Sequence, residues 1–79
     1  MMADFDVELD ATGLKCPMPV LRAKRALKSL VQGQILRLLA DDPASKSDVP
    51  AFCETVGAEL LGTSNSGDSF VFLIRKGIN

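Results

Sequence analysis

The 79-residue sequence contains no histidine, tryptophan or tyrosine, and only two cysteines. Without histidine there is no thiol protease arrangement, which needs an imidazole base beside the nucleophilic cysteine. The cysteines, Cys16 and Cys53, show neither CxxC spacing nor a Cys/His ligand set for zinc, and we predict no metal site and no cofactor. A chain of this length supports one hydrophobic core, so we predict a single domain over 1–79.

Charge and hydropathy argue against two further classes of protein. The net charge of −1 gives no electrostatic reason to expect nucleic-acid binding, which usually needs a strongly basic domain. The acidic start over 1–6 lacks the blocks of a signal peptide, and no apolar run approaches membrane-spanning length. We therefore expect a cytoplasmic protein with reduced cysteines, no membrane association and no direct nucleic-acid binding.

The hydropathy pattern predicts the element order βαβαββ. The predicted strands are 5–11, 35–40, 59–64 and 69–76, with a turn at 65–68. The predicted helices are 17–31 and a second that runs from a cap at Ser47 or Asp48 to Gly57, with Pro50 in its first turn. The first two strands are expected to pair in parallel, with the second inside the sheet. The first strand alternates apolar and acidic residues, so one face of the sheet must meet solvent and both helices are expected on the other, in a two-layer α+β sandwich.

Cys16 is the leading candidate for a functional residue. It precedes Pro17, which suits the first helical position because an amide there would have no intrahelical partner, so Cys16 is the predicted N-cap. The free amides of the first turn, with Lys15 alongside, favour a thiolate. Cysteine also occurs as a small inert residue, but serine, threonine, aspartate and asparagine are the usual caps, which favours a nucleophile here.

The neighbours of Cys16 are predicted to orient its sulfur and to attract partners. Pro17 and Pro19 rigidify the first turn around Met18 and fix where the sulfur points. The basic side chains of the predicted first helix form either a solvated face or a docking surface that steers acidic partners toward the thiolate. These docking candidates are Arg22, Lys24, Arg25 and Lys28.

Asp41 and Asp42 follow the second predicted strand as Cys16 follows the first. Sites in α/β folds lie at the ends of parallel strands, so both aspartates are docking candidates, with a turn role before Pro43 as the alternative. Cys53 lies among apolar residues of the second predicted helix, which favours a place in the core over a role as a resolving thiol.

The chain resembles the TusA/SirA family of small sulfur carriers over nearly its whole length. Residues 9–19 are similar to the family signature LDxxGLxCPxP, and residues 41–45 to its DDPA[TS] turn. Asp48, Pro50, Phe52 and Cys53 resemble its second helix. Ala58 departs from the pattern, because many members have histidine after the glycine that ends this helix.

The resemblance implies a mixed four-stranded sheet whose last strand runs antiparallel to the others. It also implies that Cys16 accepts sulfane sulfur as a persulfide from a cysteine desulfurase or a rhodanese and relays it to an acceptor protein. The family's destinations are tRNA thiolation, molybdenum cofactor maturation and sulfur oxidation. Thiolate exchange needs no acid or base residue, so the missing histidine suits a carrier better than a self-sufficient enzyme. The sequence does not end in the diglycine of ubiquitin-like sulfur carriers, so the persulfide route is expected.

Two other functions stay open from the sequence. An RNA- or protein-binding regulatory module could use the basic first helix, although no aromatic residue stands among its basic residues to stack a base. A thiol redox protein would need a resolving cysteine near Cys16, and none is present. The sulfur carrier is the preferred hypothesis.

Overall fold

The computed structural model describes residues 5–77, so the predictions for the acidic start at 1–4 and for the chain end at 78–79 lie outside it. The elements are β1 (Val7–Asp10), α1 (Met18–Lys28), β2 (Ile35–Ala40), α2 (Ser45–Val56), β3 (Glu59–Ser66) and β4 (Ser69–Arg75). The predicted order βαβαββ is confirmed, and the bounds of β2 are those predicted.

The strands form one mixed four-stranded sheet in the order β1-β2-β4-β3. Strand β1 pairs in parallel with β2, and β4 lies antiparallel between β2 and β3. Helix α1 packs over β1 and β2, and α2 packs over β3 and β4. The fold is therefore the expected two-layer α/β sandwich, with β2 inside the sheet and β4 antiparallel to its neighbours.

The core lies between the sheet and the helices. Leu38 of β2 and Phe72 of β4 face each other in the register and are 0% and 2% exposed. Cys53 of α2 is 3% exposed and belongs to the same cluster, as predicted. Successive residues of a strand alternate in direction, so Arg37 points to the open face, where it forms an ion pair with Glu8 of β1. The acidic side of β1 thus lies on the face without helices.

Helix α1 is shorter than the predicted span of 17–31. Pro17 has non-helical angles (φ −99°, ψ 15°) and is the N-cap, so the helix begins at Met18. At the other end, the amides of Ser29 and Leu30 donate to carbonyls three residues earlier, each at 3.1 Å. Such bonds tighten the last turn and end the helix before the predicted residue.

Helix α2 begins three or four residues earlier than predicted, because its N-cap is Ala44 and not Ser47 or Asp48. Ala44 already has helical angles (φ −62°, ψ −23°), and the chain enters the helix at Ser45 without a side-chain cap. Pro50 consequently lies beyond the first turn, so its predicted position is wrong. The helix ends at Gly57 as predicted, in the left-handed conformation (φ 74°).

The hairpin between β3 and β4 is tighter than predicted. Ser66 pairs with Ser69, so the loop has the two residues Gly67 and Asp68 instead of four. Gly67 has φ 62°, a conformation that glycine adopts without strain and that two-residue hairpin loops require.

Strand β1 is also shorter than its predicted span of 5–11, because the chain bends at Asp6. The ladder nevertheless extends one residue beyond each end of the strand. The amide of Asp6 donates to the Ile35 carbonyl and that of Ala11 to the Leu39 carbonyl, both at 2.8 Å. The segment that follows Ala11 is thereby anchored to β2.

Candidate functional site

Cys16 lies between β1 and α1, at the edge of the sheet where the parallel strands β1 and β2 both end. The chain turns there, with the Met18 amide donating to the Lys15 carbonyl at 2.8 Å, and the Cys16–Pro17 peptide bond is cis. Lys15, Cys16 and Pro17 are all exposed, and Cys16 is a free thiol. The sulfur therefore sits on an open loop that another protein can reach.

The predicted N-cap role of Cys16 is wrong by one residue. Pro17 is the N-cap, and α1 has no side-chain hydrogen bond at that end. Met18 and Pro19 form the start of the helix, where the missing proline amide costs no hydrogen bond. Cys16 thus precedes the cap, and its sulfur forms a hydrogen bond with another part of the molecule.

The partner of the sulfur is the carboxylate of Asp48. Cys16 Sγ donates to Asp48 Oδ2 at 2.7 Å. Asp48 is half-buried and belongs to the first turn of α2. In the sequence, Asp48 is a possible helix cap, and nothing there indicates its contact with Cys16, because Cys16 and Asp48 lie 32 positions apart in the chain. Packing of α2 beside the Cys16 loop brings them together.

The surrounding carboxylates raise the pKa of Cys16 above its ordinary value. The largest cause is the hydrogen bond to Asp48, followed by desolvation and then by the negative charges of Asp48 and Asp42. A sulfur anion would face both carboxylates, so the neutral thiol is favoured. The predicted preference for a thiolate, from the helix start and Lys15, is wrong for the protein alone.

Asp41 and Asp42 tie the Cys16 loop to the end of β2. Asp42 Oδ2 accepts the Cys16 amide at 2.6 Å, and its Oδ1 accepts the Ala44 amide at 3.3 Å. Asp41 accepts the Gly13 amide at 3.0 and 3.1 Å through its two oxygens. The amides of Cys16 and then Ala44 lower the pKa of Asp42. The strand ends do meet as expected, and docking by these aspartates stays a prediction.

The basic candidates on α1 fall into two groups. Lys24 and Lys28 line a groove of about 190 Å³ between the C-terminal parts of α1 and α2, away from Cys16. Its apolar lining is Leu27, Phe52, Val56 and Ala58. Arg22 and Arg25 are exposed on α1 outside this lining. Within residues 5–77, the ion pairs are Arg37–Glu8 and Arg75–Glu59, so the four basic side chains on α1 form none there and are available to a partner.

The surface beside the thiol is more apolar than the sequence suggests. Met18 and Leu21 are 37% and 50% exposed, whereas Pro19 is buried in the core. Leu21 follows Cys16 by little more than one helical turn, and its amide donates to the Pro17 carbonyl at 3.1 Å. These exposed apolar side chains near the start of α1 form a candidate interaction surface. The helical periodicity of the sequence does not distinguish Leu21 from a core residue.

Two further properties concern the part of the chain that the structure describes. No group of three or more histidine, cysteine, aspartate or glutamate side chains there is placed to hold a metal ion. Neither α1 nor α2 has the length and apolar character that crossing a membrane requires.

Comparison with known proteins gives consistent results along nearly the whole chain. A profile of the family described as "Sulfurtransferase TusA" matches residues 7–76. The chain is 51% identical over 75 residues to the sulfur carrier protein TusA of Allochromatium vinosum, which covers 95% of this chain and 99% of that relative. The crystal structure of a SirA-like protein from Desulfitobacterium hafniense aligns with a TM-score of 0.75 and 31% identity, over 91% of this chain and 99% of that one.

Proposed function

The chain belongs to the TusA family of sulfur carriers, and we propose that it holds sulfane sulfur as a persulfide on Cys16. A cysteine desulfurase or a rhodanese loads the sulfur, and an acceptor protein of a relay removes it for tRNA thiolation, molybdenum cofactor maturation or sulfur oxidation. The observation that carries the proposal is the exposed, free thiol of Cys16 in a chain 51% identical to a sulfur carrier.

The proposed loading step is a thiol exchange that consumes no oxidant or reductant. The Cys16 sulfur attacks the terminal sulfur of the donor persulfide, and the sulfur–sulfur bond of the donor breaks. The donor cysteine leaves as a thiolate and takes up the proton that Cys16 loses. In the unloading step, an acceptor thiolate attacks the terminal sulfur on Cys16, and the sulfur–sulfur bond of the Cys16 persulfide breaks. Cys16 leaves as a thiolate and takes up the proton that the acceptor thiol has lost, so it becomes a thiol again. The protein therefore acts as a relay point between partners.

We assign docking of these partners to the surface around Cys16. Met18 and Leu21 supply exposed apolar area, and the cations of Arg22 and Arg25 on the same helix attract acidic proteins. We place the relay in the cytoplasm, because the carrier needs Cys16 as a free thiol and reducing compartments keep thiols free.

Incubation with a cysteine desulfurase and cysteine, followed by intact-mass measurement, tests the proposal. The wild-type protein gains one sulfur atom, and Cys16→Ser gains none because a hydroxyl group forms no persulfide. Cys53→Ala is the matched control: it removes the other thiol, which is buried, and retains loading. Loading of Cys16→Ser to the wild-type level would contradict the proposal.

A further inference from the structure

One carboxylate is directed at the sulfur of Cys16. Asp48 Oδ2 accepts the hydrogen bond of the thiol at 2.7 Å. The oxygens of Asp42 are occupied by the amides of Cys16 and Ala44, at 2.6 and 3.3 Å. Asp41 is likewise bonded to a backbone amide through both of its oxygens. Of the three carboxylates around the loop, Asp48 is therefore the one placed to exchange a proton with the sulfur.

We propose that Asp48 is a catalytic residue that accepts the proton of Cys16 when the sulfur attacks a persulfide, an inference that takes its purpose from the proposed function. As the new sulfur–sulfur bond forms, the proton passes from Cys16 Sγ to Asp48 Oδ2. The sulfur–sulfur bond of the donor breaks, and the departing thiolate then takes the proton from Asp48. The products are a persulfide on Cys16 and a donor thiol, with the Asp48 carboxylate regenerated.

The same contact favours the neutral thiol of Cys16 in the resting protein. The charged groups around it are Asp48 from α2, Asp42 from the loop after β2, and Lys15 on its own loop. The carboxylates are the ones that act on the sulfur, and they raise the pKa of Cys16. A neutral thiol reacts slowly with unintended electrophiles, since the thiolate is the nucleophile. Cys16 becomes reactive when Asp48 has a departing thiolate to which it can pass the proton.

Three variants separate this role from a structural one. Asp48→Asn keeps the size of the side chain and its capacity to accept a hydrogen bond but removes its charge and basicity. Asp48→Glu keeps a carboxylate. Asp68→Asn removes a carboxylate from the exposed β3–β4 turn and is the control for loss of charge. Circular dichroism verifies that each variant is folded.

The first measurement is the rate of Cys16 alkylation by iodoacetamide as a function of pH, with the modified residue identified by mass. For Asp48→Asn we expect the midpoint of the rate profile to move to lower pH. A tenfold rise in thiolate fraction costs about threefold in intrinsic nucleophilicity, so the rate at neutral pH rises by about threefold for each such tenfold change. Asp68→Asn follows the wild-type profile, and Asp48→Glu stays close to it.

The second measurement is sulfur transfer from glutathione persulfide, a small donor that needs no protein docking. Proton transfer to a positioned base typically contributes 10²–10⁴-fold, and a thiol also ionises without help, so we expect Asp48→Asn to slow transfer by about tenfold or more. Asp48→Glu recovers most of the rate. For Asp48→Asn, the alkylation rate thus rises while the sulfur-transfer rate falls. Simple damage to the Cys16 loop would instead change the access of iodoacetamide and of glutathione persulfide in the same direction.

Either measurement can overturn the proposal. Superimposable alkylation profiles for wild type and Asp48→Asn would mean that Asp48 does not accept the hydrogen bond of the Cys16 thiol in solution. Transfer by Asp48→Asn at the wild-type rate or faster would mean that Asp48 does not accept it during attack. Failure of a desulfurase to load the wild-type protein would count against the proposed function alone, because both measurements here use small reagents.

Discussion

At the scale of single residues, the chemistry of Cys16 depends on what its amide and its sulfur contact. The amide donates to Asp42 and the thiol donates to Asp48, across 26 and 32 positions of sequence. The helix start and Lys15 predict a thiolate, because these neighbours of Cys16 in the sequence both favour negative charge on its sulfur. The contacts made across the fold favour a neutral thiol instead.

Asp42 is expected to make the fold sensitive to acid. Its folded pKa is lowered from 3.8 by the amides of Cys16 and Ala44, so its carboxylate stabilises the fold above that value. This contribution is lost as the pH falls through the lower, folded pKa. We expect Asp42→Asn to unfold at lower urea concentration than wild type at pH 6, with the difference retained down to about pH 4 and lost only as the pH falls further, through the folded pKa.

Urea titrations at several pH values check this prediction. Asp68→Asn, in the exposed turn of the hairpin, is the control and keeps the wild-type dependence on pH. A constant difference between wild type and Asp42→Asn across the acidic range would show that the charge of Asp42 is not the cause.

At the scale of elements, the caps and turns decide where each helix and strand ends. Helix α1 ends at Lys28 because the amides that follow it donate hydrogen bonds to carbonyls three residues earlier. Helix α2 begins earlier than predicted because Ala44 already has helical angles. The early start places Asp48 within the first turn of α2, on the half-buried side that reaches Cys16.

Gly57 is expected to be the glycine most sensitive to substitution at a helix end. It ends α2 at φ 74°, where a Cβ is strained, so Gly57→Ala should lower the free energy of unfolding by about 1 kcal/mol. Gly62→Ala in β3 is the matched control, because its Cβ would meet nothing within 4 Å and its φ is not positive. We expect a change within about 0.5 kcal/mol there. Urea denaturation measures both, and equal losses would refute the assignment of strain to Gly57.

At the scale of the whole molecule, the topology of the sheet builds the site. Strands β1 and β2 are parallel, so the loop that enters α1 and the loop that enters α2 leave the same edge of the sheet. The thiol comes from the first of these loops, and the carboxylates come from the second loop and the helix start that follows it. We expect donor and acceptor proteins to dock on this edge together with the exposed part of α1.

Charge on α1 is expected to govern encounter with the donor and to leave the sulfur chemistry unchanged. Replacing Arg22 and Arg25 by glutamine should raise the KM for loading by a desulfurase by about fivefold, if each exposed cation contributes about 0.5 kcal/mol to docking. Transfer from glutathione persulfide should keep its wild-type rate. The effect should shrink as salt is added, because exposed charges are screened.

A double variant of the β3–β4 hairpin, Asn65→Asp with Ser66→Asp, places its charges outside α1, lowers the net charge by the same amount and is the control. Steady-state loading kinetics at two salt concentrations distinguish the two variants. An equal rise of KM in both would mean that net charge, and not the position of these arginines, controls docking.

The sequence by itself determined the fold class and the element order, and it indicated Cys16 as the candidate site. Alternating apolar residues specify strands and a 3.6-residue period specifies helices, and these patterns are local, so they can be read along the chain. The signature around Cys16 is local as well. The predicted helix boundaries were less accurate. The helical turn at Ala44 and the hydrogen bonds that the amides after Lys28 make to carbonyls three residues earlier depend on how the chain packs.

Only the tertiary structure decided the state of the thiol and the surface around it. Parallel pairing of β1 and β2 carries Asp42 to the amide of Cys16, and packing of α2 carries Asp48 to its sulfur. Exposure of Leu21 beside the site also follows from packing, since the core takes its neighbours Pro19 and Ala23 instead. Charges act through space, so a pKa depends on contacts that sequence spacing does not reveal.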